Sequence, residues 1–358
     1  MDARATKRSS RSSACLRTPR LSIATSSVFA RHDGSRVRVL VTGASGFVGR
    51  AVCSTLRANG HFVRAALRRP GTGEPVSTDE EIFIRDLGPG ADLACAVSGI
   101  DVVVHLAARV HVMRETSQDP LAEFLRVNRD GTLQLAAAAV AAGVRRFVFI
   151  STIGVNGDGA ERSDGRPYLE SDAPRPHSPY SESKWAAERG LAEVSARTAL
   201  EIVIVRPPLV YGPGVPGNFL SLLKWAERGV PLPLGNTGNQ RSMIYVGNLA
   251  AFIALCVAHP AAAGETFLIS DDEPVSTTEL IETLARAMDR RARLFPVPRR
   301  LVRLASRVLR REKVVHQIFG SLTVNANKAR ERLGWRAPVE RDQAFRDTVS
   351  WYRTRAQT

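Results

Sequence analysis

Two groups of residues in this chain could do chemistry. The first is Gly43, Gly46 and Gly49, spaced three apart after the apolar run Val37-Arg38-Val39-Leu40-Val41-Thr42. A strand that meets a helix through such a turn offers bare backbone N–H groups at the helix N-terminus. That end carries partial positive charge and suits a pyrophosphate. One glycine makes the tight turn, one lets the phosphates approach and one lets helix and strand pack closely; Phe47 and Val48 would open the helix. The second group is Tyr180 and Lys184, which share one face if they lie on a helix. A free phenol, with a pKa of about 10, is a poor base at neutral pH. A lysine ammonium beside it favours the phenolate and brings that value toward working pH.

The surrounding pattern supplies elements that could position both groups. Residues 37–41, 62–67, 82–85, 102–106, 147–150 and 202–205 read as strands. Residues 50–59, 121–142 and 178–197 read as helices, the first two stopped by Gly60 and Gly143. Strands alternating with helices predict an α/β fold with a doubly wound parallel sheet. The unbroken apolar runs Val102-Val103-Val104 and Phe147-Val148-Phe149-Ile150 fit strands buried on both faces. After Arg206-Pro207-Pro208 prolines and glycines cluster and strict alternation stops. The expected organisation is a basic disordered tail over 1–35 and a dinucleotide-binding Rossmann domain over 36–206. A smaller, mainly substrate-binding lobe over 207–358 would send segments back to the sheet. The second strand ends at Leu67-Arg68-Arg69 with no acid. A carboxylate there would take both ribose hydroxyls of NAD, whereas a guanidinium binds a 2′-phosphate bidentately. Arg68 and Arg69 therefore favour NADP(H), with NAD(H) kept open.

Taken together, the three glycines, His105-Leu106-Ala107-Ala108, Ile150-Ser151-Thr152 and Tyr180 with Lys184 resemble the extended short-chain dehydrogenase/reductases, within them the NAD-dependent epimerase/dehydratase group. The resemblance runs over about 36–335. It implies a Rossmann fold in which Tyr180 is the acid/base, Lys184 binds the nicotinamide ribose and Thr152 holds the substrate oxygen. Ser151 is adjacent and could substitute or contact substrate. Asp86 and Leu87 would meet the adenine, small Ala107 and Ala108 would let the dinucleotide lie across the sheet edge, and Pro207 would complete the cofactor's contacts. Asn128, Asn218, Leu234 and Arg241 match places where nucleotide-sugar members hold sugar, uracil and diphosphate. His111 and Met113 could line the sugar pocket. Arg-Pro-Pro-Leu-Val-Tyr-Gly-Pro-Gly and Ala108-Arg109-Val110-His111-Val112-Met113 look most like a bacterial subgroup labelled UDP-glucose 4-epimerase-like, which includes 4-reductases forming UDP-N-acetylquinovosamine. The resemblance also implies a homodimer.

Bulk properties exclude other classes. The formal net charge is +15, which could suggest nucleic acid. Residues 1–36 and 290–313 carry the whole excess, and the rest sums to zero, a poor nucleic-acid groove. No apolar run is long enough to span a bilayer. Residues 299–311 have apolar side chains on one helical side and arginines opposite, a pattern that serves a peripheral membrane contact or a helix covering the small lobe. Cys15, Cys53, Cys95 and Cys256 form no CxxC pair, which argues against a zinc site or disulfide frame and fits a reducing cytoplasm. Three functions follow: a UDP-hexose C4 reductase or epimerase, a reductase of a steroid- or flavonoid-like ketone, and a non-enzymatic NADP(H)-binding sensor.

Overall fold

The strand Arg38–Thr42 (β1) runs into the glycine turn and then the helix Phe47–Ala58 (α1). The computed structural model describes residues 36–70, 75–88, 90–110, 119–159, 165–271, 273–298 and 319–356. The tail 1–35, His111, Met113 and the segment 299–311 lie outside the described residues. After α1 come the strands Phe62–Leu67 (β2) and Glu80–Phe83 (β3), the short helix Ala94–Val97 (α2) and the strand Val102–His105 (β4). Helices Pro120–Leu125 (α3) and Gly131–Ala141 (α4), strand Arg146–Ile150 (β5), helix Pro179–Arg197 (α5) and strand Glu201–Arg206 (β6) follow. The remainder comprises strand Leu209–Tyr211 (β7), helix Gly217–Arg228 (α6), strand Met243–Tyr245 (β8), helix Val246–Ala258 (α7) and strand Thr266–Leu268 (β9). Helices Thr277–Ala287 (α8), Asn327–Leu333 (α9) and Arg341–Ala356 (α10) complete it.

Seven strands form one parallel sheet in the order β3-β2-β1-β4-β5-β6-β9. The chain winds outward from β1 to β3, then returns to the other side of β1 at β4. That reversal leaves a crevice beyond the carboxyl ends of β1 and β4, where open α/β sheets take their ligands. Val39, Val41, Val104 and Val148 bury one face with Val52 and Leu56 of α1 and Phe252 of α7. Leu40, Val103, Phe147 and Phe149 bury the other with Leu135 of α4 and Leu191 of α5. A further core joins Tyr211, Phe219, Met243, Leu284 and Phe345 beside the two-stranded β7-β8 pair.

Two elements differ from expectation. The third strand lies at Glu80–Phe83 rather than 82–85, on the sheet edge with little buried side chain to fix its register. The helix expected to be continuous over 121–142 opens into a π-turn at Arg126–Asp130. Two contacts hold that widening. A Cβ on Gly131 would stand 2.8 Å from the Leu87 carbonyl oxygen, so only glycine lets α4 press this close. Asn128 turns inward, 1% exposed, and is fully engaged with its neighbours. Single-turn π-bulges of this kind concentrate at functional sites.

Candidate active site

A cavity of about 1290 Å³ opens above the carboxyl ends of the central strands. Gly43, Gly46, Phe47, Val48 and Gly49 form its floor. Gly43 has φ +69°, and a Cβ there would stand 2.8 Å from the Ala107 nitrogen. A Cβ on Gly49 would lie 2.1 Å from the Gly43 carbonyl oxygen. The Gly46 N–H closes the turn onto the Gly43 carbonyl at 3.0 Å. No side chain caps the start of α1, so its first N–H groups remain to meet an anion. This cradle, which any side chain would fill, fits a dinucleotide pyrophosphate.

The cavity is rich in arginine. Arg68 and Arg69, both exposed at the end of β2, line it together with Arg85 and Arg126. Asp86 and Glu81 are the acids there. The Gly88 N–H and then the Arg126 guanidinium, 3.0 Å away, hold the Asp86 carboxyl below its ordinary range. Leu87, Ala107, Ala108 and Pro207 also line the cavity.

Tyr180 and Lys184 sit in the first turns of α5. Ser178 caps that helix in a reciprocal box with Ser181, and Pro179 occupies its first position, each a strong start signal. Both functional side chains line the cavity. Phe124 of α3 packs edge-on against the Tyr180 ring, with centroids 6.3 Å apart. Lys184 is 2% exposed; its Nζ donates to the Ile150 carbonyl at 2.7 Å and stands 4.3 Å from the centre of the Phe149 ring. Burial pulls its ammonium down to about 7, with the Glu188 carboxylate opposing. Burial likewise pushes the Tyr180 phenol up to about 12. Burial is the cause that raises the phenol, and the Lys184 ammonium donates to the Ile150 carbonyl.

Thr152 lines the cavity and accepts the Gly154 N–H at 3.1 Å, which leaves its hydroxyl proton to donate. Ser151 also reaches the wall, but its hydroxyl donates to the buried Glu188 carboxylate. It is therefore not a free alternative to Thr152. Asn128, expected to hold the sugar, is buried and braces its neighbours. Its Nδ2 donates to the Arg109 carbonyl at 3.0 Å and to Ser183 Oγ at 2.9 Å, while its Oδ1 accepts the Arg109 N–H at 2.8 Å. Among the described residues, Leu234 and Arg241 do not line the cavity. Leu234 is buried beneath Thr278, and Arg241 pairs its backbone with Val275 and gives Nη1 to the Gly320 carbonyl. Asn218 opens α6, but its side chain lies outside the described residues.

The structure adds residues that the sequence reading passed over. His105 is fully buried between Thr42 Oγ1 at 2.6 Å and Thr132 Oγ1 at 3.0 Å. Thr132 donates to the Asn128 carbonyl and Thr42 accepts the Ala107 N–H. His105 must then donate from Nε2 and accept at Nδ1, as a neutral ring. This chain ties the glycine turn to the π-turn. Glu188 and Arg206 form a buried pair behind Lys184. A signal for Glu188 was present, since it repeats the four-residue step from Tyr180 to Lys184.

Residues 39–270 match the model of the NAD dependent epimerase/dehydratase family. The chain belongs to that family. As a member of it the protein is an oxidoreductase- or epimerase-type enzyme on a Rossmann fold, as its sequence resemblance implied. Among its relatives, a UDP-glucose 4-epimerase of Vibrio cholerae is 37% identical over 315 residues, covering 87% of this chain and 94% of that protein. The N-acetyl-alpha-D-glucosaminyl-diphospho-ditrans,octacis-undecaprenol 4-epimerase of Escherichia coli O157:H7 is 29% identical, covering 73% and 75%. The solved structure of MoeE5 in complex with UDP-glucose and NAD superposes with a TM-score of 0.70 at 29% identity, covering 90% of this chain and all of that one. Across the family the cofactor is a nicotinamide dinucleotide, and the glycine cradle of this chain suits one.

Proposed function

We propose that this enzyme reduces the 4-keto group of a UDP-hexose, of the N-acetylated kind used for surface polysaccharide, with NADPH as hydride donor. One observation carries the reading: a single cavity is lined by the glycine cradle, by Thr152, Tyr180 and Lys184, and by Arg68 and Arg69. The bound dinucleotide would supply the hydride. Gly43, Gly46 and the open start of α1 would hold its pyrophosphate, and Ala107, Ala108 and Pro207 its path over the sheet edge. Lys184 would bind the nicotinamide ribose. Thr152 would hold the substrate oxygen by a hydrogen bond from its hydroxyl, without giving up the proton. A phenol with a pKa of about 12 is protonated at neutral pH, so Tyr180 is poised to give a proton to the oxygen that hydride addition creates.

A second reading is a UDP-hexose 4-epimerase with tightly held NAD⁺, favoured by the 37% identical V. cholerae relative. Mass spectrometry of the copurified dinucleotide, followed by a UDP-sugar panel with NADPH, separates the two. The reductase consumes NADPH mole for mole with a 4-keto UDP-sugar and releases it. Stoichiometric, non-dissociating NAD⁺ with sugar interconversion and no net NADPH consumption would replace it with the epimerase.

A further inference from the structure

Behind Lys184, away from the cavity, the fold buries a charged cluster that the proposed chemistry does not use. Glu188 is 2% exposed and lies one helical turn beyond Lys184 on α5. Arg206, at the end of β6 and 4% exposed, grips both of its oxygens, Nε at 3.0 Å from Oε1 and Nη2 at Oε2. Ser151, just past β5, donates to Oε1 as well. Arg206 is itself fixed by Asn156 Oδ1 at 3.0 Å, and Asn156 by the Leu169 carbonyl. A carboxylate held by three donors from two strand ends cannot swing away. A buried pair of this kind is weak evidence for stability, since hydrophobic replacements often do as well. It needs another reason to be here.

We propose that Glu188 is a positioning residue for the reaction, a fixed counter-charge one helical turn along α5 that keeps the Lys184 ammonium charged where it meets the Ile150 carbonyl. Lys184 has few other sources of help. From β4 it faces His105, which burial, followed by the charge of Lys184 itself, holds near 3 and so neutral. From β5 it meets the Phe149 ring and the Ile150 carbonyl, neither of them anionic. From β6 the charged side chain nearest this cluster is Arg206, a like charge tied to Glu188. On α5 itself lie Tyr180, neutral at working pH, and Glu188. Glu188 is therefore the anion opposing the desolvation that lowers Lys184 to about 7.

The inference rests on the reading of Tyr180 and Lys184 as the reacting pair, and two measurements keep their failures apart. The first is an NMR titration of the Lys184 ammonium in the full chain without dinucleotide, wild type against Glu188→Gln. The second is kcat against pH with NADPH and a 4-keto UDP-sugar. Glu188→Gln is expected to lower the Lys184 pKa by about one unit or more and to move the basic limb of kcat down by the same amount. Glu188→Asp, which keeps the charge, should restore the limb. Because Glu188→Gln strands a buried guanidinium, the pair Glu188→Gln with Arg206→Met is run beside it, with a displacement in the same direction but smaller, since a like charge leaves with the counter-charge. An unmoved Lys184 titration overturns the proposal. So does a shifted titration with an unmoved limb, which would take the charge of Lys184 out of the rate. If the wild type turns over no UDP-sugar, the functional reading fails instead, and the titration still decides whether Glu188 holds the charge.

Discussion

The Thr42–His105–Thr132 chain shows how a single ring can brace a site. With both ring nitrogens committed and the ring fully buried, His105 is lowered to about 3 by burial and then by the charge of Lys184. In the unfolded chain its pKa returns to about 6.5. A group depressed on folding contributes stability that is present above its unfolded value and lost as pH falls toward its folded one. The native protein should therefore lose stability between about pH 6.5 and 3 partly through His105. Urea unfolding across that window should show a shallower loss in His105→Gln than in wild type, although the variant starts less stable at neutral pH. Parallel pH slopes would show that His105 does not carry this dependence.

At the scale of elements, the turn between β1 and α1 is the tightest joint. A Cβ on Gly49 would meet Gly43 oxygen at 2.1 Å and Ala44 Cα at 2.8 Å; backbone lies on both sides and cannot step aside. Gly49→Ala should lower stability by about 3 kcal/mol and abolish dinucleotide binding, measured by thermal unfolding and by quenching of intrinsic fluorescence. A bound dinucleotide with an unchanged melting temperature would contradict this geometry. Elements of this kind were legible in the sequence because their causes are local. Val102-Val103-Val104 announces a doubly buried strand, Ser178-Pro179 a helix start, and three glycines a tight turn. The π-turn was not legible, because it depends on Gly131 pressing against Leu87, distant in sequence. Nor were the tasks of Asn128 and Ser151, whose polar groups are taken by Arg109, Ser183 and Glu188 from other elements. A polar residue beside a motif reads as a ligand until the fold shows which neighbour has claimed it.

For the whole molecule, the sheet order places a cavity across the β1–β4 reversal, with arginines and the tyrosine in its lining. No helix among the described residues is long and apolar enough to cross a membrane. On the proposed reading, Arg68 and Arg69 would bear on cofactor choice from the end of β2. Replacing Arg68 and Arg69 with Ser should raise the KM for NADPH by about 10- to 100-fold, the worth of charge-assisted contacts to a phosphate. The KM for NADH and the kcat should change little. Equal losses with both dinucleotides would make these arginines ordinary surface charges.

The account stands on Tyr180 as the proton donor beside the nicotinamide. The most direct test is a single-turnover experiment with saturating NADPH and a 4-keto UDP-sugar, following the absorbance of reduced nicotinamide in wild type and Tyr180→Phe. The expected result is a hydride-transfer rate about 10²- to 10⁴-fold slower in Tyr180→Phe, with NADPH affinity unchanged. Hydride transfer at the wild-type rate in that variant would contradict the account.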